Sequence, residues 1–427
     1  MRIVKADNAS EIKAIIDELT KRSNDKLEDV EKIVCEVIAN VKENKDKALI
    51  DYARQFDKVE LTSLKVSDEE IDEGYNSCSK ELIEILTEAR DNIIEFHKNQ
   101  KFDEFEIKKD GKYLAQIVRP MKRAGLYVPG GKSPYPSTVL MDSVPAFVAG
   151  VKEVVMVTPP NKEGKISANI LAAAKICGIK EIYKAGGAQA IAALAYGTQS
   201  IKPVNIICGP GNKFVACAKK VVYGDVAIDM IAGPSEVLII ADETANVKYV
   251  AADLLSQAEH DEAAGCFLVT PSEKFAHEIK KEVEIQLNEL SRKEIAKVSI
   301  DTFGTIIVTN STSDCFLASN MIAPEHLEIA LENPSSYIDM VENAGTIFLG
   351  EHTPEPVGDY FAGTNHTIPT SGKAHFCSPL STYDFYKRTS VVCYSREALE
   401  EVKDKVITFA ESEELTAHAN SIRKRFE

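Results

Sequence analysis

The stretch EVVMVTPPNKEGKISANILAAAKICGIKEIYKAGGAQAIAALAYGTQSIKPVNIICGPGNKFVACAKKVVYG, residues 153–224, decides the fold class. Short β-branched runs (EVVMVT, EIYK, VNIIC) alternate with Ala-rich runs at helical spacing (ISANILAAAKICG, AQAIAALAYG, KFVACAKKVVYG). Strand, loop and helix in repetition is the pattern of a parallel sheet covered on both faces, because its strands read as continuous apolar runs. A second series follows: EVLIIAD (236–242), NVKYVAADLLSQAEHD (246–261), CFLVTPS (266–272), a helix beginning EKFAHEIKKEVEIQL (273–287), GTIIVT (304–309), a helix around SNMIAPEHLEIAL (319–331) and GTIFLG (345–350). Two consecutive series imply two α/β domains. Residues 1 to about 110 read as charged amphipathic helices, and the chain from about Ser381 as a polar helical tail with too little apolar surface for a core of its own.

Composition sets the outer limits. At 427 residues the chain needs more than one core. Its 66 acidic against 50 basic residues give a net charge of −16, which repels phosphate backbones and anionic membrane surfaces, so neither nucleic acid nor membrane is an expected partner. The start MRIVKADNASEIKAIIDELTKR is charged rather than signal-like, and a cytoplasmic location is expected. Nine scattered cysteines without a C-x-x-C pair suggest neither a disulfide framework nor a thiolate zinc site.

Three glycine loops, GLYVPGGKSPYPST (125–138), KAGGAQA (184–190) and CGPGNKF (208–214), lie beside predicted strands. Backbone amides there can meet a phosphate or carboxylate, and the carboxyl ends of parallel strands are where nucleotides lie; no G-x-G-x-x-G is present, and plain turn geometry explains such loops as well. In DLLSQAEHDEAAG, Gln257 and His260 are three apart on a predicted helix and share a face near its end. Asp359 and His366 lie in the Gly- and Pro-rich EPVGDYFAGTNHTIPTSG, read as a loop, and His418 lies in the tail. Glu325 and His326 adjoin at an expected loop-to-helix junction, where Pro324 and an acid also suit a plain helix start. Imidazole nitrogens and oxygens from such residues suit zinc, although an isolated histidine is more often an ordinary surface or core residue.

Taken together, GLYVPGG, GGAQAIAALAYGT, GPGN, AIDMIAGPSEVLIIAD, DLLSQAEHD, PEHLE, GDYFAGTNHTIPT and ELTAHA, in this order, resemble the histidinol dehydrogenase family from about residue 110 to the end. The resemblance implies two consecutive Rossmann-like parallel-sheet domains with a helical N-terminal region and a helical C-terminal tail. It implies a helical arm at 1–22, a first α/β domain at 23–112 plus 236–380 with the zinc and acid/base residues, an NAD-binding α/β domain at 113–235, and a tail at 381–427 exchanged across a homodimer. By the same resemblance, Gln257, His260, Asp359 and His418 hold one zinc ion per subunit, and Glu325 and His326 are the catalytic acid/base pair. Ser235, His366 and Glu413 add contacts to L-histidinol beside those of the zinc ligands and His326, and Tyr127, Gln189 and Asn212 contact NAD+. The implied reaction is oxidation of L-histidinol to L-histidine by two hydride transfers, the last step of histidine biosynthesis. In it His326 takes the hydroxyl proton and Glu325 activates the water that attacks the aldehyde.

Rival readings are a zinc hydrolase, which shares such ligands but needs no glycine loops for a cofactor, and a non-catalytic α/β binding protein, which gives no reason for Glu325 and His326 to meet the metal ligands. A cysteine-nucleophile oxidation is disfavoured because Cys208 and Cys377 have no base beside them in the sequence.

Overall fold

A computed structural model describes residues 1–20, 27–130 and 134–427. In chain order the elements are β1 (Arg2–Lys5), α1 (Ala9–Thr20), α2 (Leu27–Tyr52), α3 (Asp68–Ser77), α4 (Lys80–His97), β2 (Phe105–Lys109), β3 (Lys112–Pro120), β4 (Arg123–Tyr127), α5 (Pro136–Ala149), β5 (Glu153–Thr158), α6 (Ala168–Cys177), β6 (Glu181–Lys184), α7 (Gly187–Tyr196), β7 (Ile206–Cys208), α8 (Lys213–Val222) and β8 (Ala227–Ile228). They continue with β9 (Glu236–Ala241), α9 (Val247–Ala258), β10 (Gly265–Thr270), α10 (Glu273–Leu287), α11 (Lys293–Thr302), β11 (Thr305–Val308), α12 (Thr312–Ile322), β12 (His326–Ala330), β13 (Thr346–Leu349), α13 (Glu355–Tyr360), β14 (Tyr386–Tyr394), α14 (Arg396–Ser412) and α15 (Thr416–Arg423). None of the described helices is long and apolar enough to cross a membrane.

The chain divides into two compact units, Met1–Gln100 with Lys122–Phe385, and Lys101–Met121 with Tyr386–Glu427. The first unit contains two parallel sheets. The larger has six strands in the order β1-β11-β10-β9-β12-β13. Every residue of β9, β10 and β11 is buried, which is why these runs are apolar apart from Glu236, Thr270 and Thr305 at their ends. Along β9 the faces alternate: Val237, Ile239 and Ala241 meet α9 and α10, while Leu238 and Ile240 meet α1 and α12. The smaller sheet has five strands in the order β6-β5-β4-β7-β8, all parallel. The two α/β series of the sequence are therefore two parallel sheets.

The N-terminal third departs from its expected place. β1 is a strand and pairs in parallel with β11, so residues 2–5 belong to the larger sheet rather than to a purely helical arm. The apolar stripe of α2 (Val30, Val34, Val37, Ile38 and Val41) packs with Ile191, Leu194, Val215 and Val222 of α7 and α8, which places the 27–52 helix on the smaller sheet and not with 236–380. An amphipathic helix goes where a complementary apolar face is open, and the Ala-rich surfaces of α7 and α8 permit close approach. The boundary expected near 22–23 lies outside the described residues.

In the second unit the residues up to about 110 and the tail were expected to be helical and 113–121 to belong to the NAD-binding α/β domain, but the unit holds a three-stranded antiparallel sheet, β14-β3-β2, together with α14 and α15. Its hairpin turns at Asp110 and Gly111, both at positive φ (48° and 73°), the signature of a tight primed turn. A further correction concerns the stretch around Glu325. α12 ends at Ile322, Ala323 adopts a left-handed conformation, and His326 opens a strand rather than a helix. The amides of Gly345 and Thr346 donate to the carbonyls of Pro324 and Glu325, and this pairing draws the segment into the sheet.

Candidate active site

β9 and β12 are neighbours, with His326 in register beside Val237, and Glu325 and His326, expected as an acid/base pair, lie at their amino ends. The residue that organises it is Glu236, through its backbone. Its N–H donates to Glu325 Oε2 at 2.8 Å, and its carbonyl oxygen lies 3.0 Å from His326 Nδ1. A carbonyl can only accept, so Nδ1 carries a proton and Nε2 is the atom left for chemistry. Both side chains are buried, at 5% and 3% exposure, and His326 Nε2 is buried without a hydrogen-bond partner. It lies 3.4 Å from Asp359 Oδ1, an ion-pair distance rather than a well-formed hydrogen bond.

Gln257 lies in the last turn of α9, but His260, expected on the same helix, lies just past its end, with its amide donating to the Gln257 carbonyl at 3.2 Å. Asp359 is on α13, so part of the presumed Gly/Pro loop is in fact a short helix. That helix also brings in Glu355, which sequence reasoning passed over. Glu355 and Asp359 are i and i+4 and share a face, and ligand atoms of His260, Glu355 and Asp359 all lie within 4.8 Å of one another. The spacing was legible, but the flanking prolines and glycines masked the helical turn.

Ligand atoms of His260, Glu355 and Asp359 are close enough together to hold a cation. Buried amide atoms Oε1 and Nε2 of Gln257 and Oδ1 of Asp359 have no hydrogen-bond partner, which is costly unless a ligand or ion engages them. Burial holds His260 below its ordinary pKa and therefore neutral, the form that binds a metal. Burial also raises Glu355 to about 7. Asp359 stays low: burial opposes its charge, but the contact with His326 outweighs this. One imidazole and two carboxylates at this spacing fit a zinc-like divalent ion.

For Glu325 and His326 the electrostatics are opposed. Burial lifts Glu325 to about 8. Burial also disfavours charge on His326, yet the carboxylates of Glu355, Glu325 and Asp359 hold its pKa well above the ordinary value. His366 flanks the cluster: Nδ1 is 3.2 Å from the Asp359 carbonyl and Nε2 3.3 Å from Thr138 Oγ1. Ser235, half-buried, precedes Glu236, and its carbonyl accepts from the Gly265 amide at 2.9 Å. Ser235, Gln257, His260, Glu325, His326, Asp359 and His366 thus all lie in the first unit, linked through Glu236, Asp359 and the starts of β9 and β10. Glu413 and His418 belong to the second unit and are exposed on it.

The glycine loops gather at the carboxyl ends of the smaller sheet. Tyr127 ends β4, and its hydroxyl accepts from the Gly187 amide at 3.2 Å. Gln189, 5% exposed, is in the first turn of α7. Asn212 caps α8, its Oδ1 accepting from the amides of Phe214 and Val215 at 3.0 and 3.2 Å, which leaves its NH2 group available. Residues 131–133 of the first loop lie outside the described residues. Behind this edge, Asp142 of α5 is fully buried. Its Oδ1 accepts from Thr367 Oγ1 at 2.7 Å, and burial raises its carboxyl to about 8.

The histidinol dehydrogenase family model matches residues 20–426. The histidinol dehydrogenase of Clostridium acetobutylicum is 51% identical over 409 residues, 96% of this chain and 95% of the relative. That of Caldanaerobacter subterraneus is 52% identical over 414 residues, 96% of each chain. The crystal structure of histidinol dehydrogenase from Elizabethkingia anophelis superposes with a TM-score of 0.94 at 42% identity, covering 100% of this chain and 98% of that one. The chain belongs to the histidinol dehydrogenase family.

Proposed function

We propose that this protein is a zinc-dependent, NAD-linked dehydrogenase that oxidises L-histidinol to L-histidine in two successive hydride transfers through a bound aldehyde. The observation that carries the reading is the convergence of Glu325 and His326 on the two backbone groups of Glu236, beside the His260, Glu355 and Asp359 cluster. Taking a primary alcohol to a carboxylate removes two hydrides with addition of water between them, so one site must accept several protons.

In this reading Gln257, His260 and Asp359, with the partner subunit's His418, hold one zinc ion per subunit. The ion would supply orientation of the substrate's imidazole and amine nitrogens and a positive charge that favours deprotonation nearby. The positive charge of a divalent cation beside Asp359 and Glu355 would offset the carboxylates that hold the His326 pKa up, so that Nε2 is free to accept the hydroxyl proton as hydride leaves the carbinol carbon, while the Nδ1 hydrogen bond to Glu236 keeps the ring in the accepting tautomer. Glu325 then takes a proton from the water that adds to the aldehyde. His326 accepts again as the second hydride leaves the resulting hydrate. Tyr127, Gln189 and Asn212 would hold oxidised nicotinamide, which would supply the hydride acceptor. Ser235, His366 and the partner subunit's Glu413 complete the substrate contacts.

A composite site requires a homodimer. The second unit leaves Phe105, Val392 and Phe409 exposed at 51%, 67% and 69%, which supports a covering partner. Product analysis tests the function. Incubation with L-histidinol and excess oxidised cofactor should yield L-histidine with little free aldehyde, and aldehyde accumulating as the end product would overturn the reading.

A further inference from the structure

Lys219, on α8, is one of the largest fully buried side chains at 2% exposure, a rare position for lysine. Its Nζ pairs with Asp229 Oδ1 and donates to the carbonyl oxygen of Gly209 at 2.9 Å. Asp229 Oδ2 in turn accepts from the Gly209 amide at 2.8 Å. One buried ion pair therefore grips both the N–H and the C=O of a single loop residue. Gly209 sits at φ +112°, closed to other L residues, and a Cβ there would collide with the Tyr127 carbonyl oxygen. The loop then runs through Pro210 and Gly211 to Asn212, which caps the helix that carries Lys219. The circuit closes on itself.

Stability alone does not require this arrangement. Val215, Ala218 and Val222 already seat α8 in the core, and a buried ion pair is often replaceable by apolar residues of similar volume without loss. Apolar residues, however, cannot grip an amide and a carbonyl together.

We propose that Lys219 and Asp229 are positioning residues for the nicotinamide cofactor: by clamping Gly209 they hold the GPGN loop, and so Asn212, at a fixed approach to Tyr127. The inference rests on the reading of Tyr127 and Asn212 as cofactor contacts. Preorganisation of this kind lowers the entropy lost on binding and acts on affinity rather than on proton transfer.

The test compares wild type with Asp229→Asn, which keeps an acceptor for the Gly209 amide, and with the double variant Lys219→Met/Asp229→Leu, which leaves no buried charge unpaired. Reduced-cofactor binding is measured by fluorescence titration, KM and kcat for cofactor and histidinol by steady-state kinetics, and amide exchange by mass spectrometry. The double variant should bind reduced cofactor about tenfold or more weakly and raise the cofactor KM similarly, with kcat at saturation within about twofold and histidinol KM unchanged. Asp229→Asn should fall between. Exchange should accelerate in 208–215 and not in β9 to β11. Unaltered cofactor affinity in the double variant would overturn the proposal, as would accelerated exchange throughout the larger sheet, which would make the pair a support of the whole fold. No binding of reduced cofactor by the wild type would instead overturn the reading beneath it.

Discussion

Glu325→Gln separates the roles proposed for Glu325 and His326. Burial lifts the Glu325 carboxyl to about 8, so at pH 7 it is mostly protonated and glutamine closely matches it in shape and charge. The amide oxygen can still accept from the Glu236 amide at the 2.8 Å position. Stability should therefore change by less than about 1 kcal/mol, the scale of one retained hydrogen bond. What is lost is the carboxylate that deprotonates water, a general-base contribution of roughly 10²–10⁴-fold. In the wild type, the rate of aldehyde oxidation should rise about tenfold per pH unit below pH 8 and level above it, because only the ionised form acts as base. Single-turnover cofactor reduction started from the aldehyde, across pH 6 to 9, reads this directly. The variant should lack the rising limb and be slow throughout, while turnover of the alcohol to the aldehyde survives far better. Equal losses in both halves, or an unchanged pH limb in the variant, would refute the reasoning.

Other perturbations reach different parts of the account. His326→Asn removes Nε2, the acceptor in both oxidations, and should slow both halves by comparable factors in the same single-turnover assay. His260→Asn should release the metal, seen in elemental analysis, and abolish activity while far-ultraviolet circular dichroism stays near wild type, because both parallel sheets are packed without it. Asp142, lifted by burial from 3.8 to about 8, holds a proton in the folded chain that the unfolded chain releases, so its contribution to stability falls as pH rises through that window. Between pH 5.5 and 7.5, urea unfolding of the wild type should lose on the order of 1–3 kcal/mol more than that of Asp142→Asn, and parallel curves would contradict the assignment. Mixing His326→Ala with His418→Ala chains under subunit exchange should restore roughly a quarter of wild-type activity if the tail serves its partner, since random pairing leaves about half of the dimers with one intact site. No recovery after confirmed exchange would place the metal site within one chain.

The parallel sheets were legible because their strands are buried on both faces, so runs such as Glu236–Ala241 and Gly265–Thr270 announce themselves by continuous apolar character. Gln257 and His260 were legible as close along the chain at the end of a helix, although the helix stops before His260. His326 was placed on a helix wrongly, since HLEIA is short, half polar and preceded by Pro324, and only pairing with β9 and β13 makes it a strand. Glu355 was invisible as a member of the cluster because a six-residue helix within a Gly/Pro-rich segment has no sustained periodicity. The role of Glu236 could not be read at all: it acts through backbone atoms, which any residue would supply. Nor could the seat of α2 be read, because the stripe of an amphipathic helix shows that it packs and not against what. The β2–β3 hairpin did carry a signal, Asp110–Gly111 between alternating residues, which the charged surroundings obscured.

The most direct measurement is the yield of reduced cofactor when a limiting, weighed amount of L-histidinol is exhausted by the enzyme with excess oxidised cofactor, followed by near-ultraviolet absorbance. Two reduced cofactors per histidinol, with L-histidine as the product, is the result the paired Glu325 and His326 predict. A yield of one, with the aldehyde left in solution, would contradict it.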